Sequence, residues 1–444
     1  VTTNTTRRVP PDRVHQTIQK RLIGDGLPIV FDLRESHGSW IVDARTGEEY
    51  LDFFSFFASL PLGFHHPAFH TPENAERLFQ AAIHKPSNSD AHTAELASFT
   101  ETFGRVAARE ALPHLFFVEG GTLAVENGLK TAFDWKVRKN LAAGKDPRGT
   151  RVIHFRQAFH GRSGYCLSLT NTNPVKTDYF PKFDWPRITN PRLRFPLGPA
   201  EAARVAREEE SAIREIEAAF RASPGDIAAI IIETIQGEGG DNHFRKEFLA
   251  ALRAIADREE ALLIFDEVQC GFGITGRFWA FEHFSVVPDI VCFGKKSQVC
   301  GILAGPRIDQ VKDNVFRLSS RINSTWGGNL TDMVRCEIIL ETIASERLVE
   351  NAAEVGEHLL DCLQDLGRRF PEFVSNVRGR GLMCAFDCPG PAERDAVIAR
   401  AREKHLVILP CGELSVRLRP ALNVSRDEVD EAANRLADAI RAAR

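Results

Sequence analysis

The stretch Asp289-Ile290-Val291-Cys292-Phe293-Gly294 is an apolar run that ends in a glycine, and two lysines, Lys295 and Lys296, follow it directly. It reads as a buried strand closed by a glycine turn, so at least one ammonium group is delivered to a strand end. A second apolar run, residues 261–265, is followed by Asp266 and Glu267. In open α/β sheets ligands sit outside the carboxyl ends of the strands, so an acid and a lysine placed this way can share a pocket. Either feature alone is also met by a salt bridge at a sheet edge. A third run, residues 114–118, leads into Glu119-Gly120-Gly121-Thr122 and an amphipathic helical stretch. Glycines at a strand-to-helix turn expose backbone N–H groups, and the helix N-terminus adds partial positive charge, which suits a phosphate. A tight turn alone also favours glycine. After a fourth run, residues 151–155, comes Phe159-His160-Gly161-Arg162. Its aromatic can stack on a planar ring, and its arginine can bind a carboxylate.

A phosphate cradle, an acid, an aromatic and a lysine together are what pyridoxal 5'-phosphate requires. The lysine makes the covalent imine link, the acid keeps the pyridine nitrogen protonated, and the aromatic covers one ring face. One motif competes. Gly271-Phe272-Gly273-Ile274-Thr275-Gly276 fits the dinucleotide fingerprint GxGxxG. However, Asp266 and Glu267 lie between the strand and these glycines, where their charge opposes a pyrophosphate.

The elements that must position these groups alternate short apolar runs with longer helical patterns. That predicts an α/β fold with a mainly parallel sheet. Further strands are expected at 227–235 and 301–305, then at 380–387, 406–410 and 415–420. In the stretch after Lys246, Phe248, Leu249, Leu252 and Ile255 share one helical face. Ser425-Arg426-Asp427-Glu428 is a capping box that opens a final helix. The expected organisation is an N-terminal arm and part of a small domain in 1–65, a large domain in 66–330, and the rest of the small α+β domain in 331–444. The chain has 444 residues, 43% hydrophobic content and a formal charge of −4, ample for a large core. No basic excess suggests nucleic acid, and no apolar stretch approaches the roughly 20 residues of a membrane span. Nine scattered cysteines without CxxC spacing predict free thiols in a reducing cytoplasm rather than disulfides or a metal site. The first residues, polar and proline-bearing, read as a loose arm.

The segments KPSNSD (85–90), FVEGGTLAVENGLKTAFDWK (117–136), FHGRSGYCLSLTNT (159–172), QGEGGDNHF (236–244), IFDEVQCGFGITGRF (264–278), CFGKKSQVCG (292–301) and NSTWGGNLTDM (323–333) resemble the class III (ω-) aminotransferases, fold-type I pyridoxal-phosphate enzymes. The resemblance runs over nearly the whole chain. It implies that Lys295 carries the cofactor, while Lys296 is structural and lowers the pKa of Lys295. It further implies that Asp266 pairs with the pyridine nitrogen, Gln269 faces the ring hydroxyl, Phe159 stacks on the ring, and Gly121 and Thr122 bind the phosphate. Thr325 is expected to reach the phosphate of a neighbouring subunit, which implies a homodimer. On the substrate side the resemblance implies Arg162 as clamp for a distant α-carboxylate and places Asn323 nearby. Arg417 would hold the α-carboxylate of glutamate, and Glu238 would mask Arg417 by moving on its flanking glycines. The branch most resembled takes the ε-amino group of L-lysine, with 2-oxoglutarate as acceptor. Aminotransferases for donors such as ornithine, 4-aminobutyrate or a polyamine share every cofactor residue, and a pyridoxal-phosphate mutase shares the fold but needs no external amino acceptor. Thr122 and Thr234 stand where close relatives carry alanine and proline, and Thr234 is expected to bear on specificity.

Overall fold

Seven strands build the central sheet of the computed structural model, which describes residues 8–444. Residues 1–7 of the expected arm lie outside the described residues. The strand order is His114–Val118, Cys300–Ala304, Ile290–Phe293, Leu262–Asp266, Ile227–Glu233, Arg151–Phe155, Arg187–Ile188. Cys300–Ala304 is antiparallel to both neighbours. The remaining pairs are parallel.

Helices cover both faces of this sheet, which is why its strands read as continuous apolar runs rather than alternating ones. Every residue of Ile227–Glu233 is buried. Ile231, Ile264 and Ile290 pack on one face with Val125 and Leu129 of the helix Gly121–Ala142. Ile230, Leu263, Phe265 and Phe293 pack on the other with Phe248 and Leu252 of the helix Lys246–Arg258. Each fully buried side chain of this size contributes about 1.5–3 kcal/mol.

Two smaller sheets flank it. Ser375–Arg380, Met383–Asp387, Ser415–Leu418 and Leu409–Cys411 form an antiparallel sheet in that order. Trp40–Val42, Glu49–Asp52 and Leu406–Val407 form the other, in which Leu406 pairs with Leu51, so both ends of the chain meet there. The single run expected at 406–410 is thus two strands in different sheets. The capping box is present: Glu428 N donates to Ser425 Oγ at 3.2 Å and Ser425 N to Glu428 Oε2 at 2.8 Å. The helix Leu330–Ser345 packs against Pro72–Ile83 and Ala94–Val106. No helix among the described residues is long and apolar enough to cross a membrane.

Candidate active site

Strand register brings the acids to the lysine. Glu233 and Asp266 end neighbouring parallel strands and are directly paired, as are Asp266 and Cys292 on the next. Lys295 lies two residues past Phe293, with φ 56°. This left-handed backbone costs a residue with a Cβ about 1–2 kcal/mol, and Lys295 lines a pocket at the strand ends. The same pocket is lined by Asp266, Gln269, Phe159, Gly121 and Thr122, so six of the expected residues meet at one place. Burial lowers the Lys295 pKa to about 8, and the cations Arg417 and Arg419 add to the shift.

Lys296 does something else. Its Nζ donates to the carbonyls of Gln269 at 2.7 Å and Ala58 at 3.4 Å, tying the loop after Asp266 to the turn at 55–58. Burial and the Lys295 charge bring it to about 7. The structural role is as expected. The cations that chiefly depress Lys295, however, are the two arginines and not its neighbour.

Asp266 is buried, with Oδ2 2.8 Å from His160 Nδ1 and Oδ1 accepting from Val268 N at 3.1 Å. A carboxylate can only accept, so Nδ1 carries the proton in this pair. Sequence reasoning passed over His160 because its partner is 106 positions away. It also passed over Glu233, whose place at the end of an apolar run was the same signal that found Asp266. Glu233 accepts from Phe159 N and from Gly237 N, each at 2.9 Å, so it fixes both the stacking residue and the 236–240 turn. Burial raises its carboxyl to about 7, with His160 opposing the shift and Asp266 adding to it.

At the other end of the pocket, Gly120 precedes the helix Gly121–Ala142 with φ 97° and no side chain caps its first turn. The pocket therefore meets open N–H donors at the positive end of a 22-residue helix. Gly161, at φ 121°, has the Thr122 side chain where a Cβ would stand, so the two loops close on each other. Uncapped donors, a buried acid with a fixed proton partner, a stacking phenyl ring and a lysine of lowered pKa fit pyridoxal phosphate.

The substrate rim is built from ion pairs. Glu238 lies 3.1 Å from Arg417 Nη2 and 2.5 Å from Lys176 Nζ. Burial pushes the Glu238 pKa up, but Arg417 and Lys176 outweigh it and hold it below the usual value. Gln269 Oε1 accepts from Arg417 at 3.2 Å and Arg419 at 3.3 Å, and Arg419 is itself paired with Asp241. The flanking glycines do not give Glu238 a loose backbone. A Cβ on Gly237 would collide with Gln269 and one on Gly239 with Gln157 O, and Glu238 O accepts from Gly412 N at 2.8 Å. Any motion of Glu238 therefore belongs to its side chain. Phe57 covers this rim, its ring 5.9 Å from Lys295 Nζ and 5.7 Å from Arg417 Cζ. It sits in a left-handed turn, Ser55–Ala58, with φ between 38° and 63°.

Three expected residues are not brought into the pocket of this chain. Arg162 is exposed and makes no hydrogen bond to another described residue. Thr325 is exposed, and Asn323 Oδ1 accepts from Ser89 Oγ at 2.8 Å on the surface. Thr234 does not line the pocket either: buried behind the strand ends, it donates to Glu267 Oε1 at 2.9 Å. The GxGxxG motif opens no helix. Gly271 and Gly276 are sites of close packing against Trp279 and Ala353. All nine cysteines are free, and only Cys362 is not buried.

The pattern of the class III aminotransferases matches residues 24–440. The L-lysine-epsilon aminotransferase of Mycobacterium tuberculosis is 55% identical over 428 residues, 96% of this chain and 95% of that protein. The protein of that name from Streptomyces clavuligerus is 49% identical over 432 residues, 97% of this chain and 94% of its own length. The solved lysine aminotransferase from M. tuberculosis in the internal aldimine form matches with a TM-score of 0.96 at 53% identity, covering 98% of this chain and 100% of that one. With sheet order, pocket and near full-length similarity in agreement, the chain belongs to the class III aminotransferases.

Proposed function

We propose that the enzyme moves the ε-amino group of L-lysine to 2-oxoglutarate, giving glutamate and 2-aminoadipate 6-semialdehyde, which closes to a piperideine carboxylate. The observation that carries this reading is the masking of Arg417 by Glu238 at the rim, where Phe57 lies near both Arg417 and Lys295. A bare guanidinium there would favour an α-carboxylate next to the reacting amine. Lysine reacting through its ε-amine places an uncharged methylene chain at that point, which a neutralised Arg417 tolerates. When 2-oxoglutarate arrives, its carboxylate replaces that of Glu238 in a charge-assisted pair. Arg162, beside the pocket residue Gly161, is the candidate clamp for the distant α-carboxylate of lysine.

Pyridoxal 5'-phosphate, when bound, supplies an electron-poor ring that takes up the electron pair left as the amine-bearing carbon loses its proton. Gly121 and Thr122 would hold its phosphate, Phe159 would cover the ring, Gln269 would serve the ring hydroxyl and Lys295 would carry it. Asp266 keeps the pyridine nitrogen protonated, and His160 holds Asp266 in place. The Lys295 Nζ is the group placed to accept the proton from the substrate carbon. A pKa near 8 leaves a usable neutral fraction at neutral pH, where an ordinary lysine near 10.4 has almost none.

Residues 66–330 are the cofactor-holding unit in this reading, and 1–65 with 331–444 form the smaller one. The working form is a homodimer in which Thr325 serves the neighbouring site. Exposed Trp326 beside Thr325, and exposed Leu123 beside Thr122, support such a contact. A panel of amino donors with 2-oxoglutarate, with products identified by mass spectrometry, tests the activity. Lysine should be the best donor and yield the cyclised semialdehyde. Preference for ornithine or 4-aminobutyrate, or turnover without an acceptor, would overturn it.

A further inference from the structure

Behind the loop that carries Phe159, a second and separate cleft is lined by Arg156, Arg187, Arg192, Arg194, Arg204 and Arg207. The chain as a whole carries a formal charge of −4, so this concentration of positive charge runs against its overall balance. Arg204 is neutralised by Glu201 and Glu208. None of the other five forms an ion pair with a described residue, and the only side-chain bond among them is from Arg192 to Asn242 Oδ1 at 3.4 Å. Burial, and then the neighbouring arginines, lower the pKa of Arg187 and Arg192, yet a guanidinium stays charged at neutral pH.

The six do not belong to one solvated helix face. Arg204 and Arg207 lie on the helix Pro199–Ala222, Arg187 on the edge strand, Arg156 just past Arg151–Phe155, and Arg192 and Arg194 on the following loop. Like charges converge here from four elements, and among the lining residues only Glu208, paired with Arg204, stands against them. A guanidinium fork is built for bidentate contact with phosphate or carboxylate oxygens. Five unpaired forks in one cleft exceed what a single phosphate can engage. We propose that this cleft binds a polyphosphate anion, either bare or as the phosphate chain of a nucleotide. Its inner wall is Asn190, whose Nδ2 donates to Gln157 Oε1 at 2.9 Å and to Gln236 Oε1 at 2.8 Å, and whose buried Oδ1 has no partner. Gln236 opens the turn that carries Glu238, so the cleft shares a wall with the amino-acid site.

The test is calorimetric titration of the cofactor-loaded enzyme, whose own phosphate site is then filled, with inorganic tripolyphosphate and, separately, with ATP. Saturable binding at one site per chain is expected, weakening at least about tenfold in the double variant Arg187→Gln/Arg207→Gln and steeply with added salt. Arg214→Gln, on the same helix but outside the cleft, should bind as the parent does. Equal affinity for both ligands assigns the bare phosphate chain, and tighter ATP binding assigns a nucleotide. The two cleft arginines have no partners to lose, so the double variant should melt no lower than the parent and turn over lysine unchanged. Absence of saturable binding up to about 1 mM at low salt, or binding that the double variant leaves intact, would overturn the proposal.

Discussion

Asp266 and Glu238 are carboxylates of one site, held on different terms. Asp266 is 4% exposed, ends a strand, and is fixed by a histidine and a backbone N–H. Glu238 has a side chain 26% exposed and is held by two cations from other elements, Arg417 and Lys176. The first is set by sheet register. The second can exchange one ion pair for another without moving its pinned backbone. Transamination asks for that division. The ring-binding charge does the same work in both halves of the reaction, whereas in the proposed reaction the charge facing the substrate must differ between lysine and 2-oxoglutarate.

The comparison breaks most visibly at Lys295. Lys295→Ala should lower turnover by about 10³-fold or more, the scale of a lost general base, and abolish the visible absorbance of covalently held cofactor. Lys296→Met should keep both while lowering the melting temperature, because two buried carbonyls lose their donor. The reverse pattern would exchange the roles of the two lysines.

Glu238→Ala sharpens the contrast between floor and rim. Rapid-mixing measurement of the separate half-reactions should show the lysine half slowed about tenfold or more, the worth of one charge-assisted pair. The 2-oxoglutarate half should change little, and transfer of the α-amino group should gain ground. Equal losses in both halves would make Glu238 a structural residue. A smaller effect, confined to binding, is expected at the outer rim. Arg162→Ala should raise the KM for lysine about tenfold with kcat nearly unchanged, because a remote clamp binds ground and transition states alike. An unchanged KM would remove Arg162 from the site.

The same division decides what the sequence reveals. Asp266 ends a strand, and Lys295, Gly121 and Phe159 follow one; a polar or turn residue closing an apolar run is a local pattern. Glu233 carried that pattern too. His160, Lys176 and Phe57 did not, since each acts through a partner that only folding brings near. The short strands Trp40–Val42 and Arg187–Ile188 escaped notice because two or three residues hold too few alternations to show a period. Gly237 and Gly239 misled in another way. Glycine signals freedom or close approach equally well, and here Gln269 and Gln157 make it close approach.

The smallest effect expected is one of stability, and it belongs to the floor. Glu267 is buried next to Asp266 in sequence but faces away from the pocket, accepting from Thr234 Oγ1 and from the backbone N–H groups of Ala280 and Phe281. Burial raises its carboxyl to about 7, against the opposing pull of these donors. The unfolded chain releases this proton near 4.3. Between those values the folded state holds a proton that the unfolded state lacks. The stabilisation is therefore complete below the unfolded pKa and is lost as pH rises through about 7. Lys296, lowered to about 7, acts in the opposite sense only above that point, where the unfolded chain still holds its proton. Glu267→Gln cannot titrate, so its melting temperature should change less between about pH 5 and pH 7 than that of the parent. The variant also puts an amide N–H against one of three donors and should melt a few degrees lower throughout, for a cost of about 1–3 kcal/mol. Slope, not level, is the measure: parallel melting profiles for parent and variant would mean that Glu267 stays ionised in the fold and that its three donors outweigh its burial.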